Sequence, residues 1–348
     1  MLYKVSVIRR IKHASTATCT LPIYMGFLMT EPNSISCTQL AETYNISHDS
    51  VNRFLEREDY TPHDLYQESI QHIDNNKLIV SIDDTVLDKP YSQHMDLVSY
   101  FWSGKHHRSV KGINLITLYA TDQNGQNIPI NFRIYDKSEG KTKNDYFMDM
   151  LSEVLGWGAK IQFITGDSWY SSTGNLKTIR KYGIRFMFGI DCNRKVSPEK
   201  GQWFQLRLLP DFHQGQVVWL KDFGFVQLFK TQLKEQQRFY IVHQDEDDLL
   251  SFEGFHELHS SHWKIEQYHR VIKQVCHIEK FQVRRSKLIL NHIFAALMAY
   301  VEIQKNQFER IFENVYRWQK KLFRPIIKDF IDDFILDKNH LLPQRIYK

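Results

Sequence analysis

The chain is poor in cysteine, with four in 348 residues: Cys19, Cys37, Cys192 and Cys276. They lie far apart and form no C-x-x-C pair and no zinc-ligand spacing. That excludes a disulfide-stapled scaffold and a zinc ribbon, and it leaves reduced thiols. A targeting segment is also lacking. The first residues, MLYKVSVIRRIKHAS, are basic but hold no long apolar stretch and no small-residue cleavage site. Long apolar runs are missing too: IFAALMAYV at 293–301 is too short to span a bilayer. A soluble cytoplasmic protein with no membrane partner is expected. Nor does one sign of charge dominate. Lys and Arg number 45 against 40 Asp and Glu, a net of +5, which fits a polyanionic partner without demanding one. No internal repeat or low-complexity run is present.

What the chain does have is apolar material, 42% of residues with 14% aromatic, enough for at least one large core and for two or three domains. Residues 1–72 read as helical. Within them Ser36 and Gln39 offer a capping box, and TQLAETYNIS followed by HDSVNRFLERE reads as helix, turn, helix. As a helix-turn-helix, its second helix would offer Asn52 and Arg53 to a major groove. As an ordinary αα-hairpin it would not, and residues 1–72 carry six Lys/Arg against eight Asp/Glu.

The pattern then changes. Lys77–Asp83, Val110–Thr121, Asn127–Tyr135, Lys160–Gly166 and Arg185–Ile190 are short apolar runs rich in β-branched residues, the mark of buried strands. Helical periodicity covers Asn144–Leu155 and about Gly174–Tyr182. Three strands, a helix, then strand, helix, strand is the order of an RNase H-like fold, an α/β class with a mixed five-stranded sheet and flanking helices. The expected organisation is an N-terminal helical region at 1–72 and a first part of the core at 73–191. An inserted all-β subdomain at 192–253 precedes the second part of the core at 254–304. A basic helical region closes the chain at 305–348. The insert is rich in aromatics and turn residues. Trp203 and Trp219 read as β-core residues, with stacking on an extruded DNA base as the alternative.

Asp83 and Asp167 fall at the ends of two predicted strands, where open sheets gather ligands. Each alone reads as an aspartate closing a strand at a turn. Side by side they would repel one another unless a divalent cation lay between them. A long helix, about Phe255–Cys276, puts His262, Glu266, His269, Arg270, Lys273 and His277 on one stripe. That stripe reads either as a solvated charged face or as one carboxylate and a row of cations aimed at a phosphodiester.

The segments Ile82-Asp83-Asp84-Thr85, Thr165-Gly166-Asp167-Ser168-Trp169-Tyr170 and Trp263-x-Ile265-Glu266, with Lys273 seven residues on, resemble the DDE transposases of bacterial insertion sequences. More narrowly, they resemble the cut-and-paste group with a β insertion between the second Asp and the Glu. Tyr100–Gly104, Val110-x-Gly112-Ile113 and Arg133-x-Tyr135 extend the resemblance, which covers about residues 77–300. Where the related signature has Tyr and Arg before the glutamate, this chain has His259 and His262. The resemblance implies two Mg²⁺ (or Mn²⁺) ions held by Asp83, Asp167 and Glu266 as metal ligands and catalytic residues. Lys273, Arg270 and His262 would lie on the DNA, as would Asn52 and Arg53 of the helix-turn-helix. It further implies DNA partners, namely the inverted-repeat ends of the mobile element and target DNA, and a homodimer on paired ends. The alternatives are a stand-alone RNase H-like nuclease and a non-catalytic DNA-binding regulator. Asp83 rather than Asp84 is expected to be the ligand, because the Asp-x-Thr pattern then places Thr85.

Overall fold

The computed structural model describes residues 18–31, 35–104, 106–210, 212–233, 236–244 and 249–339. The start of the expected N-terminal helical region, residues 1–17, and the end of the basic C-terminal region, 340–348, lie outside the described residues.

Four short helices come first: α1 (Leu21–Thr30), α2 (Cys37–Tyr44), α3 (His48–Arg57) and α4 (Pro62–Ile70). Ser36 caps α2 through the Gln39 amide at 3.0 Å, and Ser47 caps α3 through the Ser50 amide at 3.3 Å. Asn45, at φ 49°, turns the chain between them. Next come β1 (Leu78–Asp88), β2 (Ser99–Ser103), β3 (Arg108–Thr121), β4 (Asn127–Ile134) and α5 (Lys143–Gly156). They are followed by β5 (Ile161–Gly166), α6 (Thr173–Lys181) and β6 (Arg185–Ile190).

These strands form the predicted sheet. β3 runs antiparallel to β1 and β4, while β1, β5 and β6 are parallel, in the spatial order β4-β3-β1-β5-β6. That is the strand order of an RNase H-like fold. Alternation along β1 divides its residues between two faces. Leu78, Val80 and Ile82 are fully buried on one. Ile79 packs on the other against a second core of Phe163, Met187, Phe229, Tyr240, Val242, Phe255 and Leu258.

The insert is not a unit standing apart from this sheet. It supplies β7 (Lys195–Ser197), β8 (Phe204–Gln205), β9 (Gln216–Leu220), β10 (Gly224–Leu233) and β11 (Gln236–His243). β11 pairs antiparallel with β6, from Phe239 opposite Ile190 to His243 opposite Phe186. β10, β9, β7 and β8 continue outward, making one eleven-stranded sheet. The otherwise open edge of β6 is thereby covered. Trp203 and Trp219, read as core residues, are 44% and 43% exposed; Trp219 meets Phe225 edge-on at 4.8 Å on the outer part of this extension.

Three long helices finish the chain: α7 (Phe252–Gln274), α8 (Ser286–Phe308) and α9 (Val315–Asn339). By length and composition α8 would pass for a membrane span, yet 78% of its most apolar window is buried inside the fold. The N-terminal helices pack on it. Tyr60 stacks on Phe294 at 4.2 Å, and the Tyr24 hydroxyl lies 2.9 Å from His292 Nδ1. Buried Asn291 donates to the carbonyls of Leu55 and Glu58, both at 2.7 Å, and accepts from the Tyr60 amide at 3.3 Å. Asn291→Leu removes those three hydrogen bonds and is expected to cost about 2–3 kcal/mol, read from urea unfolding. A cost under half that would mean water replaces the side chain.

Candidate active site

The site begins where the parallel pairing of β1 with β5 stops. The last paired residues are Ile82 and Gly166. Asp83 follows directly within β1, and Asp167 follows directly after the end of β5. A Cβ on Gly166 would stand 2.6 Å from the Phe188 ring and 2.7 Å from the Ile82 side chain, so glycine here makes room for those two side chains next to the pair. Contrary to the reading from sequence, Asp83 does not end a strand. β1 runs on to Asp88 because β3 continues to pair with it, Asp88 opposite Gly112.

Asp83 and Asp84 face opposite ways. The Asp84 carboxylate accepts from Asn114 Nδ2 at 2.6 Å, Lys143 Nζ at 2.7 Å and the Tyr170 hydroxyl at 2.9 Å. Its charge is paired with Lys143, and three of its roughly four acceptor positions are taken. Asp83 faces α7. One oxygen accepts from the Asp84 amide at 2.8 Å and the other lies 3.5 Å from His269 Nδ1. Burial favours the neutral form of Asp83, but His269, together with His262 and the hydrogen bond from the Asp84 amide, outweighs it and holds the carboxyl below its usual range.

Asp167 has no such contact, though the Lys143 charge offsets part of what raises it. Its carboxylate caps a short 3-10 turn through the Trp169 amide at 2.9 Å. Burial, then the charges of Asp83 and Asp84, push its carboxyl up to about 7. Glu266, at the surface of α7 one turn before His269, is raised by burial and by Asp83 as well. Asp83 is thus coupled electrostatically to both other carboxylates. They are not gathered into a closed shell: among the described residues, no three His, Cys, Asp or Glu side chains are arranged to hold a metal ion.

The elevated Asp167 carboxyl has a pH signature. Between its ordinary value of 3.8 and about 7, the folded chain keeps a proton that the unfolded chain has lost. Stability from this group is therefore present at low pH and falls as pH rises toward 7. In EDTA, Asp167→Asn is expected to melt progressively higher than wild type from pH 5 to pH 8, and millimolar Mg²⁺ is expected to narrow that gap by stabilising wild type. A gap independent of pH would contradict the coupling.

The other predicted residues divide. His262 Nδ1 lies 3.2 Å from the Thr165 hydroxyl, and burial lowers its pKa to about 4, so at neutral pH it offers hydrogen bonds rather than charge. His259, at the signature's Tyr position, is 3.0 Å from the Tyr240 hydroxyl. Arg270 is exposed beside Glu266. Lys273 donates to the Val86 carbonyl at 2.6 Å and lies 3.9 Å from Glu279, which ties the end of α7 to β1. His277 leaves the stripe, because α7 ends at Gln274 and His277 sits buried in a turn at φ 53°. Asn52 and Arg53 are on α3, where Arg53 Nε donates to the Asp49 carbonyl at 3.2 Å. Sequence reasoning missed the contact of His269 with Asp83 and the three donors to Asp84. Spacing offers a signal only for His269, three residues after Glu266.

A family model of the transposase DDE domain matches residues 74–301. No curated protein matches the chain. Among solved structures it is similar to Marinitoga piezophila Argonaute in complex with a 5′-OH guide RNA. Identity there is 12%, over 54% of this chain and 26% of that one, with a TM-score of 0.22. The Argonaute complex with guide RNA and target DNA gives 11% identity, 60% and 30% coverage, and a TM-score of 0.22. The chain spans less than a third of the Argonaute chains. The likeness is too slight to bear on function.

Proposed function

The chain belongs to the transposase DDE domain family, and we propose that it cuts DNA at the ends of its own insertion sequence and joins those ends to a target, using divalent cations. One observation carries the reading. The parallel pairing of β1 with β5 ends at Ile82 and Gly166, so Asp83 and Asp167 follow on neighbouring segments, and the charge of Asp83 raises the carboxyls of both Asp167 and Glu266. An all-oxygen, acidic donor set suits Mg²⁺ or Mn²⁺ and disfavours zinc. Asp83, Asp167 and Glu266 would hold two such ions. Bound there, they would activate water or a DNA 3′-hydroxyl as nucleophile and stabilise the leaving oxygen.

The chain's own groups do the positioning. His269 orients Asp83, and Gly166 makes room for the Ile82 and Phe188 side chains next to the two aspartates. Lys143, Asn114 and Tyr170 hold Asp84 out of the site. Exposed Arg270 meets the phosphates, and His262 hydrogen-bonds the backbone. Lys273 anchors α7 to β1, seven residues along the helix from Glu266, and would reach a bound strand by exchanging the Val86 carbonyl for a phosphate. Asn52 and Arg53 on α3 contact the terminal repeats. Two copies pair two ends in the cytoplasm.

The test uses purified protein, DNA fragments carrying the inverted repeats that bracket the reading frame, and a target plasmid. Mg²⁺-dependent cleavage at the repeat ends followed by joining is expected. Cleavage without joining would make the chain a nuclease. Binding that is equal in EDTA, with no cleavage, would make it a regulator. Either outcome overturns the proposal.

A further inference from the structure

β2 buries one face and leaves the other in water. Phe101 and Ser103 lie inside, where the Phe101 ring meets Tyr135 at 5.8 Å and the Lys137 amine at 4.9 Å. The alternate residues, Tyr100 and Trp102, are 63% and 66% exposed. Single exposed rings are ordinary on a protein surface. Two at successive outward positions of one strand, about 7 Å apart, make a platform. Among the described strands β2 pairs only with β3, so the platform lies at an edge of the sheet, where charged side chains are the usual choice.

Strand register fixes which way the platform faces. Asp83 stands opposite Thr117, Tyr100 opposite Lys111 and Trp102 opposite Ser109. Residues 109, 111 and 117 of β3 are separated by even steps, so both rings lie on the face of the sheet that carries Asp83. They sit six and eight residues along β3 from the partner of Asp83, about 20 and 27 Å. β1 ends opposite Gly112, and the hairpin of β2 and β3 continues past that point. The rings therefore overhang the end of the sheet toward which β1 and β5 run.

From Ser99 to Thr121 the chain holds no acid. Lys111 shares the face of the rings, its amine donating to the Ser92 carbonyl, and His107 and Arg108 are exposed at the turn of the hairpin. Asp88, the last residue of β1, is taken up by His106 at 3.0 Å. Aromatic faces bordered by cations stack on bases and meet phosphates, and a flat sheet face does so where the bases are unpaired, because a duplex hides its base faces. We propose that the outer face of β2 holds unpaired nucleotides of a DNA strand, with bases on Tyr100 and Trp102 and phosphates toward Arg108 and His107. The purpose rests on the function proposed above, since an enzyme that cuts DNA ends meets unpaired nucleotides beside its cut. The test uses neither cleavage nor metal, so the two can fail separately.

Binding of a short labelled oligothymidylate to the full chain in EDTA is followed by fluorescence anisotropy across a salt series. Tyr100→Ala and Trp102→Ala combined are expected to weaken it by about tenfold or more. Tyr100→Phe and Trp102→Phe combined keep both rings and are expected to stay within about threefold of wild type. Arg108→Ala is expected to flatten the salt dependence by roughly one ion. Because both rings are exposed, all variants should melt with wild type. A wild type that does not bind the oligonucleotide, an alanine variant that binds as well as wild type, or a phenylalanine variant as weak as the alanine one would overturn the proposal. So would equal weakening toward a blunt duplex of the same length, which would place the rings on paired DNA, or tighter binding of oligouridylate, which would make RNA the ligand.

Discussion

Asp83→Asn is expected to slow Mg²⁺-dependent cleavage of end DNA by roughly a thousandfold, the several kcal/mol that metal-assisted charge stabilisation contributes. The amide keeps the carboxylate's shape and can still accept from the Asp84 amide, as Asp83 does at 2.8 Å. It loses the charge that draws a cation toward Asp167 and Glu266. Because that same charge raises both neighbours' pKa values, its removal relieves repulsion. In EDTA that relief is offset by loss of the pairing with His269 that holds Asp83 below its usual range, so the variant should melt close to or somewhat below wild type, and it should bind end DNA with near-normal affinity. Single-turnover cleavage and gel-shift binding measure the two effects. A variant retaining a tenth of the wild-type rate would remove Asp83 from the reaction.

The adjacent aspartate is expected to behave in the opposite way. Asp84→Ala strands Asn114 Nδ2, Lys143 Nζ and the Tyr170 hydroxyl, and Lys143 and Asp84 are each only 16% exposed. Breaking a buried ion pair from one side leaves an uncompensated charge and costs about 3–5 kcal/mol. Urea unfolding should show that loss with the m-value unchanged. A cost under 1 kcal/mol would mean that Lys143 swings into solvent and that the network does not hold Asp84 away from the site. Neighbours one residue apart thus separate activity from stability, because alternation along β1 points them to opposite faces.

Much of this arrangement was legible beforehand. The five core strands announce themselves as apolar, β-branched runs, and their order in the chain sufficed for the topology. The end of β1 was misread at Asp83 because two aspartates in a row look like a turn. The antiparallel ladder with β3 overrides that local preference as far as Asp88. The insert's aromatics suggested a separate core, but strand pairing with β6 is a long-range choice that composition does not carry. The stripe on α7 held through Lys273 and failed at His277, because helical periodicity projected past Gln274 assumes a helix that has already ended. Pattern singles out Glu266 as a candidate. It does not reach the pairing of His269 with Asp83, since that depends on how α7 crosses β1.

The central claim, that Asp83, Asp167 and Glu266 together hold divalent cations, is tested most directly by Mn²⁺ binding followed by electron paramagnetic resonance at neutral pH. Wild type is compared with a variant combining Asp83→Asn, Asp167→Asn and Glu266→Gln. Wild type is expected to deplete the free Mn²⁺ signal saturably, and Mg²⁺ is expected to compete; the variant is expected to leave the signal untouched while unfolding as cooperatively as wild type. Equal Mn²⁺ uptake by the two proteins would contradict the account.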